Sequence, residues 1–597
     1  MGLRIILVLV SSPQINWRRE IINRHTITSE RIDELPLLVF WLKRMQVDVI
    51  IDRALGTPHG NWEGLSYGEL ALVYIVYVVM KCSHYLSPVE EWVVQHPISL
   101  RQALGKPVRV QDCTDDRLAF LLGRLGDEQT HPGEQIELEL GQHLVRAYKL
   151  PTETARIDMT SVSVYHQPED NQGLMRFGCS KDHRPDLRQF KAVLGTLDPV
   201  GLPLATAMQS GEQADDPHYT PAWDRLAATI GHSDFLAVGD CKLASLENRA
   251  HIHHRQGFYL TPLPMTGMIP SELRTLVLNP PNSPQEIRLF GQNAHESPIG
   301  QGFEVTVACS WQSPDDTEEA IPWHERRLVV QSEAHARRQR FGLQERLAKA
   351  EASLATLNIR PATDQAQVES RAQAILKRYD LTDYLHLIFH EQVAYQTHYV
   401  GRGRPGPDRP TQTSETHTWI VESQRQTAAI DLFNRLAGWR IYVTNATANR
   451  LSLTEAVNCY RQEWQPEHGF HRLKGGLLAI MPLYLRDEAR IRGLLLLLGI
   501  ALRVLTLTEF VARRDLAATA EKLKGLYAGN PNRATDQPTA ERLLKAFDNL
   551  TLYRYETENQ AQYEVTPLSP LQRRILKALG IPTSIYTPPV APIFDSG

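Results

Sequence analysis

Residues Tyr460 to Lys474 read Tyr-Arg-Gln-Glu-Trp-Gln-Pro-Glu-His-Gly-Phe-His-Arg-Leu-Lys, and Tyr460, Trp464, Glu467, His471 and Lys474 are spaced four, three, four and three apart. On an unbroken helix that spacing stacks all five side chains along one face. A stripe that mixes a carboxylate, an imidazole, an ammonium and two aromatic rings is a poor core stripe. It suits holding a metal ion and gripping an anionic substrate. A hard ion such as Mg²⁺ takes oxygen ligands, so more carboxylates must come from elsewhere. Asp158, inside a strand pattern, and Asp240, at the end of a short apolar run, are the candidates. Their spacing leaves convergence open; the fold has to supply it.

The elements that would position these groups follow from the apolar pattern. Residues from about 30 to 150 carry apolar clusters at helical spacing and predict an all-α domain. Ala155–Tyr165 alternates apolar and polar residues, which predicts a strand. Phe190–Leu197 and Leu202–Met208 flank the turn Asp198-Pro-Val-Gly201 and predict a hairpin. A helix over Tyr219–Ile230, a strand over Phe235–Val238, a helix capped by Ser245 and a strand over Phe258–Leu263 complete an α/β order. An insertion then runs from 266 to 436. It holds β-like pieces (Glu286–Phe290, Glu304–Trp311, Arg327–Gln331), a helical hairpin arm with Leu343, Leu347, Ala350, Leu354 and Leu357, and a Gly/Pro/Arg loop over Tyr399–Pro410. The α/β pattern resumes at Arg440–Thr444 and leads into the stripe. The last eighty residues read as helical, with a frayed final dozen. The domains expected are therefore 1–150, 151–265, 266–436, 437–515 and 516–597.

Composition narrows the class. At 597 residues the chain exceeds a single core, and 42% apolar with 22% charged residues is ordinary for a soluble protein. A net charge of −4 means that any nucleic-acid binding rests on local basic patches. The six cysteines are scattered without a Cys-x-x-Cys pair, which argues against a disulfide framework or a cysteine zinc site and suits a reducing cytoplasm. Ile5–Val10 follows Arg4, but the run is short and shows no small-residue cleavage site, so it reads as a buried strand or an imprecise translation start rather than a signal peptide. Gly493–Leu502, ten residues between Arg492 and Arg503, reads as a core helix, so no membrane partner is expected.

Four segments in order resemble a known family. Tyr460, Glu467 and Lys474 fall in register with the Tyr-Arg-Glu-Lys helix signature of bacterial insertion-sequence transposases of the DDE class. Ile157-Asp158-Met-Thr160 resembles the first-strand motif, and Val238-Gly-Asp240 with Ser245 resembles the second-Asp motif. Gly178–Gln189 resembles a diagnostic segment of one branch, and Thr444-Asn445 before the helix also fits. The resemblance covers roughly residues 30 to 510. It implies a multidomain α/β protein in which an RNase H-like catalytic core is interrupted by a large insertion and preceded by an all-α domain for DNA binding or synapsis. It implies that Asp158, Asp240 and Glu467 hold two Mg²⁺ ions, with Mn²⁺ able to substitute. Water would cut the phosphodiester at the element end, and the freed 3′-hydroxyl would attack a second strand. Tyr460 and Lys474 would grip the phosphate beside the scissile bond. The implied partners are the terminal inverted repeats and target DNA, with a homodimer in the synaptic complex of a nucleoid-associated cytoplasmic enzyme.

Two departures stand out. The family's arginine position is Glu463, with Arg461 and Arg472 nearby, and Glu463 competes with Glu467 as metal carboxylate. Pro466 sits where helix hydrogen bonding should continue, so it either kinks the helix or opens a new one.

Other features have bland and sharp readings. His251, His253 and His254 lack a zinc-ligand partner at the right spacing and read as an exposed helix end. A basic helix over Arg326–Lys349 reads as a solvated face or a DNA contact. Gly401-Arg402-Gly-Arg404-Pro405 resembles the core of a minor-groove hook, or is Gly/Pro loop punctuation. Lys181 and Arg184, with Asp182 and Asp186, form either a charged turn or a DNA-facing loop beside the site. Trp311, Trp323 and Trp419 are core residues by default and base-stacking candidates otherwise. Two rival functions remain: a metal-dependent endonuclease on the same core without strand transfer, and an inactive transposase-derived DNA-binding protein.

Overall fold

A computed structural model of the chain describes residues 26–165, 173–293, 295–313, 320–404, 406–556 and 561–589. The strand expected over Ile5–Val10 and the end of the C-terminal tail lie outside them. β1 (Thr26–Arg31) precedes α1 (Leu35–Arg44), α2 (Val47–Leu55), α3 (Tyr67–Lys81), α4 (Val89–Val94), α5 (Pro97–Leu104), α6 (Asp115–Leu125) and α7 (Pro132–Tyr148). Then come β2 (Thr154–Val164), β3 (Arg188–Leu197), β4 (Leu202–Ser210), α8 (Tyr219–Ile230), β5 (Leu236–Gly239), α9 (Leu246–His254) and β6 (Phe258–Pro262). The next stretch holds α10 (Ile269–Leu278), β7 (Gln285–Ile287), β8 (Gly300–Trp311), β9 (Ile321–Ser332), α11 (Glu333–Leu357), α12 (Gln365–Tyr379), β10 (Leu385–Tyr399), β11 (Thr411–Arg425) and α13 (Thr427–Leu436). β12 (Trp439–Thr444), α14 (Leu453–Tyr460), α15 (Trp464–Lys474) and α16 (Glu488–Thr519) follow. The last elements are β13 (Leu523–Lys524), β14 (Ala534–Thr535), α17 (Ala540–Lys545), β15 (Thr551–Glu556), β16 (Ala561–Val565) and α18 (Pro570–Leu579). Contacts gather the chain into two units, residues 1–136 with 472–597, and residues 137–471.

In the first unit α16 is the core helix. It is apolar on every side, and the most apolar stretch of it, long enough to cross a membrane, is 89% buried inside the protein. Two glycines let it approach α6 closely. A Cβ on Gly493 would lie 2.0 Å from the Leu122 carbonyl oxygen, and one on Gly126 would lie 1.8 Å from that of Ala489. The stretch 30–150, expected to be wholly helical, begins with β1, which pairs antiparallel with β15 next to β16. The C-terminal eighty residues likewise include strands as well as helices. A strand whose partner lies more than 500 residues away leaves no local signal.

In the second unit one large mixed sheet runs in the order β4-β3-β2-β5-β6-β12-β9-β8-β7. β4, β3 and β2 are antiparallel, and β2, β5 and β6 are parallel. β12 then pairs antiparallel with both β6 and β9. The expected hairpin, helix and strands from 188 to 262 all form, and the Ser245 hydroxyl caps α9 by accepting from the Asn248 amide.

The stretch 266–436 divides in two. β7, β8 and β9 continue the main sheet rather than standing apart, because β12 offers them an edge to pair with. The rest builds its own core of Leu343, Leu347, Ala350, Leu354, Val368 and Leu376, closed by β10, β11 and α13. The helical arm is thus one wall of a packed module. Arg326 and Arg327, expected on the basic helix, lie on β9 instead, with Arg326 paired to Glu304 and Arg327 to Glu272. The module's two ends meet. The Ser332 amide donates to the Gly438 carbonyl at 3.0 Å, and position 438 needs glycine twice over, for its φ of 80° and because a Cβ would lie 2.7 Å from both Ala336 Cβ and the Ser332 carbonyl oxygen.

Gly493→Ala should lower the melting midpoint of the full-length protein, at a cost of about 1–3 kcal/mol from overpacking α6 against α16. Differential scanning fluorimetry would show it, and an unchanged midpoint would contradict the close helix approach.

Candidate active site

β2 and β5 pair in parallel from Thr154 with Leu236 to Ile157 with Gly239. β5 stops there while β2 runs on to Val164, so Asp158 and Asp240 stand side by side where the ladder ends. The carboxyl ends of parallel strands are where open α/β sheets leave room for ligands. Gly239 lets Tyr219, the first residue of α8, lie against the strand; a Cβ would sit 2.9 Å from that ring. The Tyr219 hydroxyl donates to Asp240 Oδ1 at 2.6 Å, and the Lys242 amide donates to the same oxygen at 2.8 Å. The Thr261 hydroxyl donates to the Asp240 carbonyl at 2.6 Å. Burial first, and then the neighbouring carboxylate of Asp240, holds the Tyr219 phenol well above its ordinary range.

Asp158 Oδ1 accepts from the Met159 amide at 2.7 Å and lies 3.8 Å from Lys181 Nζ. Burial pushes its pKa up to about 6; Lys181 and the amide oppose the shift, while Asp240 and Glu463 add to it. Lys181 also donates to the Met159 carbonyl and lies 3.7 Å from Asp215 Oδ2, while Lys191 binds the other oxygen of that carboxylate. The loop expected beside the site therefore reaches it through Lys181. Arg184, by contrast, pairs with Asp186 at 2.7 Å and faces the Tyr165 ring.

The stripe from Tyr460 to Lys474 is split. α14, opened by a Ser452–Glu455 capping box, ends at Tyr460; a 3-10 turn covers Arg461–Glu463, and α15 starts at Trp464. Pro466 falls in the first turn of α15, where its missing N–H costs nothing. Glu467 is thus an early residue of a new helix, on an exposed side with Trp464 and His471, while Gln465, Pro466 and Phe470 are buried. Glu463 is half-buried, and its pKa is raised by burial and by Asp240 and Glu467, against the Tyr460 hydroxyl that donates to it at 3.2 Å. Tyr460 packs edge-on against Tyr442 at 4.8 Å. Arg472 has no share in this cluster: it is buried and bonded to Glu509 and Glu541.

One buried residue ties these pieces together. Arg156, two positions before Asp158 on β2, is 2% exposed and binds Asp198 Oδ2 at 2.7 Å. Its other arm donates to the carbonyl of Cys459 at 2.5 Å, immediately before Tyr460. Sequence reading missed Arg156, Tyr219, Asp215 and Lys191. For Arg156 a signal existed, a charged residue on the same strand face as Asp158 in an otherwise apolar run; for the others none did.

Asp158, Asp240 and Glu463 are coupled in charge, and Glu467 is coupled to Glu463. Among the described residues no three His, Cys, Asp or Glu side chains lie close enough to hold a metal ion as they stand. The donor set nevertheless fits a hard divalent ion: it is all oxygen, partly desolvated and mutually repelling, with Lys181 shared by Asp215. His251 bonds Asp224 at 2.9 Å and His253 stacks on Trp323, so these two are half-buried, while His254 is exposed as expected. Trp323 is a core residue that donates to the Tyr259 hydroxyl at 2.9 Å, and Trp419 packs on the module core. Arg402 and Arg404 lie in another part of the unit, at the tip of the β10–β11 hairpin.

The family model described as "Transposase DDE domain" matches residues 151–504. No curated protein matches the chain. Among solved structures, the cryo-EM structure of a piggyBac transposase synaptic complex with hairpin DNA is similar at 10% identity and a TM-score of 0.35, covering 86% of this chain and 80% of that one.

The raised pKa of Asp158 carries a stability prediction. The folded state holds a proton that the unfolded chain releases between about pH 4 and 6, so the stability tied to this group is lost as pH rises through that window. Asp158→Asn should therefore raise the metal-free melting point at pH 7.5, by an amount equivalent to about 1–3 kcal/mol, and the gain should vanish near pH 4. Melting curves across that range measure it; a variant less stable at pH 7.5 would contradict the desolvated setting.

Proposed function

Because the chain belongs to the transposase DDE domain family, whose model spans more than half of it, we propose that it is an insertion-sequence transposase that cuts at its element's ends and joins them to a second strand, with Asp158, Asp240 and Glu467 as the catalytic carboxylates. Members of the family are enzymes that cleave and transfer DNA strands, and they use divalent metal ions. The observation that carries the assignment of residues is the juxtaposition of Asp158 and Asp240 at the end of the β2–β5 ladder, with Glu463 coupled to both and Glu467 coupled to Glu463. The strand order β4-β3-β2-β5-β6, three antiparallel strands followed by two parallel ones, supports reading residues 151–265 and 437–515 as an RNase H-like core.

Asp158, Asp240 and Glu467 would hold two Mg²⁺ ions. Bound there, the ions supply the charge that activates the attacking oxygen and stabilises the leaving one in an in-line phosphoryl displacement. The chain's own groups prepare that geometry. Tyr219 and the Lys242 amide fix Asp240, and Lys181 steadies Asp158. Lys474, a point charge at the end of α15, would bind the phosphate beside the scissile bond, with Tyr460 as a second contact and Arg184 reaching the flanking backbone. In the first step water adds to phosphorus and the bond to the 3′-oxygen breaks, leaving a 3′-hydroxyl. In the second step that hydroxyl attacks another phosphodiester and displaces its 3′-oxygen, so no external energy source is needed. The residues of 1–150 would bind the terminal repeats or mediate synapsis as a homodimer.

Glu463 is the second reading for the third carboxylate, because its charge couples to both aspartates. Incubating the full-length protein with labelled duplexes carrying the DNA that flanks its gene, plus Mg²⁺ or Mn²⁺, tests both. Nicking at the element boundary followed by joined products is expected, with Asp158→Ala, Asp240→Ala and Glu467→Ala reduced to background. Activity in Glu467→Ala with none in Glu463→Ala would transfer the role to Glu463. Cleavage without joined products would make the protein an endonuclease, and no cleavage by the unaltered chain would leave a DNA-binding derivative.

A further inference from the structure

The β10–β11 hairpin is long for what supports it. Fifteen paired positions run from Leu385 with Arg425 to Tyr399 with Thr411, about 50 Å of ribbon at the usual rise per residue. Only the base is packed, through Leu385, Val421 and partly Phe389 and Trp419. From Glu391 outward both strands are exposed on both faces until Thr418 is reached on the return. A two-stranded ribbon in water is marginal by itself, and this one carries a defined tip.

The tip divides its arginines by role. Arg409 is spent internally: its guanidinium donates to the carbonyls of Val400, Gly401, Gly403 and Arg404. The loop wraps around that group with Gly401 at φ of 86° and Gly403 at φ of 146°, conformations that side chains rarely adopt. The side chains of Arg402 and Arg404 are exposed, and no hydrogen bond or ion pair holds either guanidinium among the described residues. Between Gln392 and Ser414 the sole carboxylate is Asp408, against those three arginines. A glycine-bearing, positively charged loop at the end of a two-stranded ribbon has the shape and charge to enter the minor groove, whose potential is most negative where A·T tracts narrow it.

We propose that this hairpin is a DNA-reading arm that inserts Arg402 and Arg404 into the minor groove of A·T-rich duplex, with Arg409 as the positioning residue that shapes the tip. The inference rests on the transposase reading for its choice of DNA as partner, but not on the catalytic carboxylates. It adds a sequence preference to what would otherwise be backbone attraction.

The test is fluorescence anisotropy of the full-length protein on two duplexes of equal length, one with a central A·T tract and one all G·C, without divalent metal. The A·T duplex should bind more tightly, and netropsin, which fills the minor groove, should compete. Arg402→Ala with Arg404→Ala should weaken A·T binding by about tenfold or more and leave G·C binding nearly unchanged. Arg409→Ala should erode the same preference and speed amide hydrogen exchange over residues 400–410, whereas the double variant should leave exchange unaltered. Equal losses on both duplexes would reduce the arm to a phosphate contact and overturn the proposal. So would an intact preference in the double variant, or a change of sedimentation coefficient without DNA, which would make the arm a contact between copies. Asp158→Asn should leave arm binding intact, so failure of nicking and failure of arm binding stay distinguishable.

Discussion

A single buried guanidinium ties together the elements around the candidate site. Arg156 bonds the carboxylate of Asp198 at the β3–β4 turn and the backbone of Cys459 at the end of α14, three places distant in sequence. Burial alone pushes the Asp198 carboxyl up, and Arg156 opposes that, so each charge is tolerable only because the other is present. Breaking such a pair from one side costs about 3–5 kcal/mol, since the survivor is left without compensation. The arrangement is therefore rigid where rigidity matters. It fixes the distance between the strand that carries Asp158 and the turn that carries Glu463.

Around that fixed frame the acidic groups are held in tension. Asp158 is desolvated and faces Asp240 and Glu463, while its nearest cation, Lys181, is divided between it and Asp215. A sheet end arranged for packing alone would place apolar side chains there. Here instead tyrosine hydroxyls and backbone amides orient mutually repelling carboxylates.

Much of this was legible in the sequence, and the exceptions follow a rule. The elements from β2 to β6 were readable because each has its own apolar period and its own punctuation, such as the Ser245 cap and the turn at Asp198–Gly201. Pro466 was readable as a break because proline acts locally, and the structure selects the new-helix outcome. Pairing partners were not readable. β1 with β15, or β9 with β12, depends on contacts between distant segments that leave no periodic trace. β10 and β11 escaped for a different reason: their outer halves are exposed on both faces, so no alternation marks them as strands. Of the candidate site, motif spacing pointed to Asp158, Asp240 and Glu467, and the charge of Arg156 in an apolar strand was a signal passed over, whereas the placing of Tyr219 and the coupling of Glu463 exist only once the chain is folded.

The meeting of Ser332 and Gly438 bears on how such a protein can come to be. Between them more than a hundred residues leave the sheet and return to within one hydrogen bond of their departure point, bringing a hydrophobic core of their own. Chain closed at its base in this way adds little strain to the host sheet, because closure entropy grows only slowly with the length of the loop. The module is therefore a natural unit of exchange. A recombination event at this junction could replace the module with another, or remove it, and leave the strands that carry Asp158 and Asp240 in register.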